Sequence, residues 1–477
     1  MTTTTDMFAA IVGTEHVLTA ERLATRDPGY CTAALGASIL VRPANSTELS
    51  RICEAANSRN IGLVPHGGLT GLVDGTASHP GDVIVSFERM SSILRIDPLQ
   101  GIAVVEPGVT LGALQQALEP LGLMTGVDIP SRGSCTIGGM VSTNAGGIQV
   151  LKYGMMRQNV LGLEVVLANG RVLDLSNELL KNNAGYDLKQ VFIGSEGTLG
   201  LVTKIVLKIW PVPGGTCCAL LACDSPEILP SLFNSARKNF GADLMSFEAM
   251  WPEYFHLTTS QPGFGRPPLP MGRGIYVIIE LAGTSQAEAQ ARLVAFLEAG
   301  FEKGAVADAV VAQSGSERHK IWRSREDSDA IDNVSDTSLS YDIGLKLVDL
   351  PNFAARLRQR CAARSADLVP YVFGHVGDGN LHVMFAIRKS DAAQREVYDG
   401  LIYDTLSEFS ASTISAEHGI GIEKRAVLAR SLAPDTLATL VDMKKALDPC
   451  NTLNPGKVIV AGERNPSSGT SSGTQEQ

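Results

Sequence analysis

Three of the chain's eight histidines fall in two short glycine-punctuated segments, GHVGDGNLH (374–382) and SAEHGIGIEKR (415–425). They are His375, His382 and His418, with Asn380 just before the second and Glu417 beside the third. Neutral imidazole and carboxylate are the usual ligands of a borderline divalent metal. Two histidines and one acid leave coordination positions open to a substrate. Glycines 374, 377 and 379 let the backbone bend, so His375 and His382 can face one ion. Such a centre could activate a water for hydrolysis or acidify a substrate hydroxyl.

The choice depends on three glycine loops upstream. Pro65-His66-Gly67-Gly68-Leu69-Thr70-Gly71 directly follows a strand-like run, IGLVP. The second, PSRGSCTIGGMVSTNAGG (130–147), brings together Pro130, Ser131, Gly133, Ser134, Ile137, Gly138, Gly139, Ser142, Thr143, Asn144, Gly146 and Gly147. The third contains Glu196, Gly197 and Gly200, with Val202 just beyond. Glycine lets backbone N–H groups approach a phosphate closely and form an anion-binding nest. Neither G-x-G-x-x-G nor G-x-x-x-x-G-K-[ST] occurs, so the two common nucleotide folds are not indicated. A large anionic cofactor held by loops of another fold is the remaining reading.

The elements that must carry these loops are legible in outline. SILV (38–41), IGLVP (61–65), VIVSF (83–87) and AVVEPG (103–108) read as strands. Helices begin at Asn45, with Glu48 three residues later, and at Thr110. Residues 160–175 read as a hairpin turned at Asn169-Gly170. The run Trp210-Pro211-Val212-Pro213-Gly214-Gly215 marks a boundary. Beyond it, ALLAC (219–223), IYVIIELAG (275–283) and helices near 226–240 and 285–299 suggest an antiparallel sheet covered on one face by helices. The fold class expected is α+β. The expected divisions are a helical lead-in over 1–36, a cofactor domain over 37–214, a substrate domain over 215–412, a returning segment over 413–461 and a disordered tail over 462–477. The tail's Gly469-x-Ser471-x-Gly473 imitates a hydrolase nucleophile, but no strand precedes it.

A chain of 477 residues exceeds one core, and 44% apolar content is that of an ordinary globular protein. A net charge of −10 without basic blocks argues against nucleic-acid binding. Eight scattered cysteines without a C-x-x-C pair read as reduced thiols. The N-terminus lacks the features of a secretory signal, and no run is long enough for a membrane span, so a cytosolic location is the default expectation.

Six motifs in order resemble one family: PHGGLTGLVDG (65–75), IPSRGSCTIGGMVSTNAGG (129–147), GSEGTLGLVTK (194–204), FGHVGDGNLH (373–382), SAEHGIGIEKR and LNPGK (453–457). They are similar to those of the FAD-linked D-2-hydroxy-acid dehydrogenases, flavoproteins of the vanillyl-alcohol-oxidase type. That family includes enzymes for D-2-hydroxyglutarate, D-lactate and glycolate. The resemblance implies a two-subdomain FAD domain whose three loops, with Asn454, hold the cofactor. It also implies an αβ substrate domain above them. His66 stands one residue before the paired glycines, where relatives usually have Arg or Gln, so non-covalent FAD is expected.

The resemblance also implies a divalent metal on His375, His382 and Glu417, with zinc first and Mn or Fe(II) next. A 2-hydroxy acid would chelate that metal, His418 would act as general base, and the C2 hydride would pass to the flavin. Asn380 would hydrogen-bond the substrate or orient a ligand. Arg325, three residues after Trp322, would bind the substrate carboxylate, and Arg323 would lie at the surface. Hydroxyglutarate-type members carry Lys before the Tyr-Asp dipeptide; here Ser340 precedes Tyr341-Asp342, and Lys346 is the nearest substitute. D-lactate or another short or hydrophobic D-2-hydroxy acid is therefore slightly favoured over D-2-hydroxyglutarate. The electron acceptor could be a quinone, a cytochrome or an electron-transfer flavoprotein, and the enzyme could be a homodimer. A metallohydrolase using the same His/His/Glu group is the competing reading.

Overall fold

Asn45 caps the helix Ser46–Ser58 by accepting from Glu48 N at 2.9 Å, while Glu48 reaches back to Ala44 N at 2.8 Å. Such caps contribute about 1 kcal/mol. The helix buries Leu49, Ile52, Cys53 and Ala56 against the first of three sheets. The computed structural model describes residues 3–31, 35–388 and 394–461, so the tail expectations lie outside the described residues.

Among the described residues, β1 (Val17–Thr19), β2 (Ile39–Val41), β3 (Leu63–His66) and β4 (Val83–Ser86) form a sheet in the order β1-β2-β4-β3. β4 pairs in parallel with β2 and β3, and all four of its residues are buried. Parallel strands covered on both faces read as such continuous apolar runs. β1 and the helix Thr4–Val12 belong to the lead-in, yet Phe8, Val12 and Val17 share this sheet's core. The lead-in is thus built into the first subdomain.

The second sheet is antiparallel and contains β5 (Ile93–Asp97), β6 (Ile102–Val105), β7 (Leu123–Thr125), β8 (Val160–Val166), β9 (Val172–Leu175) and β10 (Leu201–Pro211). Its core takes Leu111, Leu114 and Leu118 from the Thr110-capped helix, and Ile137, Met140 and Val141 from the helix Ile137–Thr143.

β11 (Gly215–Cys223), β12 (Leu244–Met250), β13 (Ile275–Gly283), β14 (Asp308–Val311), β15 (Thr337–Leu345), β16 (Pro370–Gly374), β17 (Asn380–Ile387) and β18 (Ser412–Thr413) form the third sheet, also antiparallel. Its order is β14-β11-β13-β12-β16-β17-β15-β18. β15 and β17 run in unbroken register from Thr337↔Ile387 to Gly344↔Asn380, which sets Asp342 opposite His382. Strand alternation then sends Leu339, Tyr341, Ile343, Leu381, Val383 and Phe385 into the main helical core. Asp342, Asn380 and His382 are left on the other face.

That other face is not bare, contrary to the one-sided covering expected. The helices Pro252–Thr259 and Gly315–Glu326 pack over part of it through Tyr254, Phe255, Ile321 and Trp322. The site lies where this cover gives way to the first half of the chain. The C-terminal segment crosses back: Leu63 N donates to Thr452 O at 2.7 Å, and Asn454 N to Leu63 O at 2.8 Å. No helix among the described residues is long and apolar enough to cross a membrane.

Candidate active site

The three glycine loops meet around one cleft of about 1520 Å3, counting space open to solvent. The first loop leaves β3 at its C-terminal end, the second runs into the helix Ile137–Thr143, and the third precedes β10. Gly68 is compelled by packing, since a Cβ there would lie 1.9 Å from Ser134 O. Gly71 has nothing within 4 Å of where its Cβ would stand, so its absent side chain leaves cleft space open. Asn454 is buried, donates from Nδ2 to Glu196 O at 2.8 Å and Gly75 O at 3.1 Å, and has an unpartnered Oδ1. A roomy cleft with open backbone and an orphaned acceptor fits a large polar cofactor such as FAD.

Most of the expected cofactor residues line this cleft: Pro65, Gly67, Gly68, Leu69, Thr70 and Gly71, then Pro130, Ser131, Gly138, Gly139, Ser142, Thr143 and Gly146, then Glu196, Gly197, Gly200, Val202 and Asn454. Six lie outside the lining. The His66 ring pairs through Nε2 with Thr76 O at 2.9 Å, and burial pushes its pKa down to about 4. Ile137 is fully buried in the second core. Asn144 ends its helix in the left-handed conformation, with its side chain turned to Arg157 N and Met155. Gly147, at φ +144°, is pressed against Asp128 O, and Ser134 contributes its carbonyl to the packing under Gly68. Gly133 lies in the turn but outside the lining.

At the cleft's inner end Glu417 and His418 join the lining. Ligand atoms of His375, His382 and Glu417 lie within 4.8 Å of one another, and His375 Nε2 is 3.6 Å from Glu417 Oε1. The hairpin between β16 and β17 makes this possible. Gly374 and Gly379 have positive φ, and a Cβ on either would strike backbone at 2.5 Å or less. Asn380 is buried with both amide atoms unpartnered, which suits a ligand-binding role. This donor set and spacing fit one divalent ion.

Sequence reasoning missed two carboxylates behind these ligands. Glu248, on β12, lies with Oε1 2.9 Å from His375 Nδ1 and accepts through Oε2 from Arg325 Nε at 3.0 Å. Burial works against a charged His375, but Glu248 and Glu417 outweigh it and raise the pKa to about 9. Asp342 accepts the backbone N–H of Glu417 and His418 at 2.9 and 3.0 Å. Burial opposes its ionisation, yet His418, Lys424 and His382 together hold it well below the usual carboxylate range. Burial, with Arg325 and His375 nearby, lowers the His382 pKa well below 6.5 and favours the neutral ring, the form a metal requires.

Arg325 reaches the site because its helix is anchored from behind. Arg318 pairs with the buried Glu280 at 2.7 and 2.9 Å, and Trp322 Nε1 donates to it at 2.8 Å. Arg325, one turn on, is buried with Nη2 3.5 Å from His375 Nε2. Arg323 turns away to Gly263 O and Asp327. Lys346 is no substitute at position 340. It is exposed one residue beyond the end of β15, whereas Ser340 lies opposite Met384 within the sheet.

Residues 37–176 match the FAD binding domain family, and residues 213–458 match the family of FAD linked oxidases, C-terminal domain. The mitochondrial D-2-hydroxyglutarate dehydrogenase of Arabidopsis thaliana is 36% identical over 95% of this chain and 80% of its own. The D-2-hydroxyglutarate dehydrogenase of Stutzerimonas stutzeri is 35% identical over 89% of this chain and 91% of its own. Among solved structures, p-cresol methylhydroxylase with substrate bound superposes with a TM-score of 0.77 at 19% identity, covering 96% of each chain. That likeness supports the vanillyl-alcohol-oxidase type of fold. The hydrolase alternative has no support among these relatives. The cytosolic location expected above is withdrawn, because the plant relative is named as mitochondrial.

Proposed function

We propose, since the chain belongs to the FAD-linked oxidase family together with the D-2-hydroxyglutarate dehydrogenases, that it oxidises D-2-hydroxyglutarate to the 2-oxo acid. The observation that carries this reading is the convergence of two sites. Glu417 and His418 line the same cleft as the glycine loops and adjoin His375 and His382.

FAD, when bound non-covalently by the three loops and Asn454, supplies the acceptor for the C2 hydride. A divalent ion on His375, His382 and Glu417, zinc by first choice, supplies Lewis acidity toward the substrate hydroxyl. The protein's own residues do the rest. Arg325 binds the C1 carboxylate with a charge-assisted pair and is held in direction by Glu248. His418 takes the hydroxyl proton, and Asn380 offers a donor and an acceptor that no protein group uses. Residues 37–214, with the lead-in packed into their first sheet, form the FAD domain and 215–412 the substrate domain, with 413–461 returning to the flavin.

A second reading is a short or hydrophobic acid such as D-lactate. It rests on Ser340 facing Met384 where an ammonium would serve a distal carboxylate. The relatives' names reverse the order in which the sequence ranked the two. A panel of D- and L-lactate, D-2-hydroxyglutarate, glycolate, mandelate and malate, read with an artificial dye, decides between them. Faster turnover of D-lactate than of D-2-hydroxyglutarate selects the second reading; a purified protein without a flavin absorbance band rejects both. Chelation should abolish dye reduction without bleaching the flavin, and full activity after verified metal removal rejects the metal.

A further inference from the structure

We infer that Asp342 is the positioning residue of the metal-and-base cluster, one carboxylate oxygen fixing the backbone of Glu417 and His418 and the other biasing the tautomer of His382 by its charge. The inference rests on the metal reading above and extends it to a residue that touches neither cofactor nor substrate.

Asp342 is fully buried in the middle of β15. Its Oδ2 accepts from Ala416 N at 3.0 Å, Glu417 N at 2.9 Å, His418 N at 3.0 Å and Ser415 Oγ at 3.2 Å. Three successive amides converging on one anion form a nest. Residues 416–418 therefore cannot shift without losing several charge-assisted hydrogen bonds at once. Lys424 braces the same point, with Nζ 2.9 Å from Ser415 Oγ and 3.6 Å from Asp342 Oδ2. A single side chain thus sets the positions of a ligand and of the base.

The other oxygen faces His382. Oδ1 is buried without a hydrogen-bond partner and faces His382 Nδ1 at 4.0 Å. That separation is too long for a hydrogen bond, but a buried carboxylate at this distance favours the ring proton on the nearer nitrogen, Nδ1. That tautomer leaves the Nε2 lone pair for an ion that His375 and Glu417 would share. Glu248 is closer to its ring, 2.9 Å from His375 Nδ1, so each of the two rings has a carboxylate beside its Nδ1.

The test uses flavoprotein stripped of metal by a chelator and titrated with Zn2+ by calorimetry. Asp342→Asn should weaken zinc binding by roughly ten- to a hundredfold, with the flavin spectrum retained. Ser415→Ala, which removes one of four donors, should stay within about threefold of wild type, since the backbone nest survives it. Equal zinc affinity in wild type and Asp342→Asn overturns the proposal. A wild type that binds no zinc, manganese or iron rejects the metal reading instead. If Asp342→Asn does not fold, the imidazole nitrogen shifts of His382 in the zinc-loaded wild type decide, assigned through His382→Gln. A protonated Nδ1 supports the assignment, and an unprotonated or metal-bound Nδ1 overturns it.

Discussion

Glu248 Oε1 lies 2.9 Å from His375 Nδ1 while its other oxygen accepts from Arg325 Nε at 3.0 Å. One buried carboxylate thus aligns the His375 ring and the Arg325 guanidinium, the proposed metal ligand and the proposed carboxylate binder. Glu248→Gln keeps the shape but offers one acceptor oxygen where two are used. We expect metal affinity to fall about ten- to a hundredfold and KM for the hydroxy acid to rise. Unchanged values of both in a correctly folded variant remove Glu248 from the site.

His418→Ala should retain flavin and metal yet lose about 10²- to 10⁴-fold in turnover with every 2-hydroxy acid tried. Steady-state dye reduction is the measurement. Near-normal rates would mean that another group takes the proton.

Two glycines separate folding from cofactor capture. Gly68→Ala places a methyl 1.9 Å from Ser134 O, so the apoprotein itself should melt lower. Gly71→Ala meets nothing within 4 Å and should leave the apoprotein Tm unchanged while weakening FAD retention on gel filtration. Tight FAD binding by Gly71→Ala would show that the cofactor does not use that space.

The stability of the first subdomain should depend on pH through His66. Burial lowers its folded pKa to about 4, whereas the unfolded chain has about 6.5. The unfolded state therefore binds the proton first, and stability is lost as pH falls from about 6.5 toward 4. The full effect is roughly 3 kcal/mol on this shift. Urea midpoints at pH 7.5 and 5 should differ more for wild type than for His66→Gln; parallel shifts in the two would refute the assignment.

The His375, His382 and Glu417 cluster was legible because its members are local. His375 and His382 sit on one glycine hairpin, and Glu417 and His418 are neighbours in another motif. Glu248 was not, since it lies 127 residues from His375 inside a strand whose seven residues are all buried. Nothing in LMSFEAM separates a buried structural acid from one facing a site; the pairing of β12 with β16 decides it. Asp342 was hidden similarly, its role arising from register with β17 rather than from the Tyr-Asp dipeptide. Lys346 misled because alternation holds only to the end of a strand, and β15 stops at Leu345. The glycine loops pointed to the cofactor's class, but six of their expected residues lie outside the cleft lining. In such loops some residues face the ligand while others, like Asn144 and Ile137, hold the turn.

Glu196 accepts the N–H of Ile420 and of Gly421 at 2.7 and 2.9 Å, and Asn454 Nδ2 closes on its carbonyl. The consequence concerns biosynthesis. The cofactor loops are made early, but the segment that finishes their cleft emerges from the ribosome more than two hundred residues later. A nascent chain can therefore make its cofactor loops long before it possesses a complete flavin pocket, since Leu453 of the first core and Asn454 of the cleft have still to arrive.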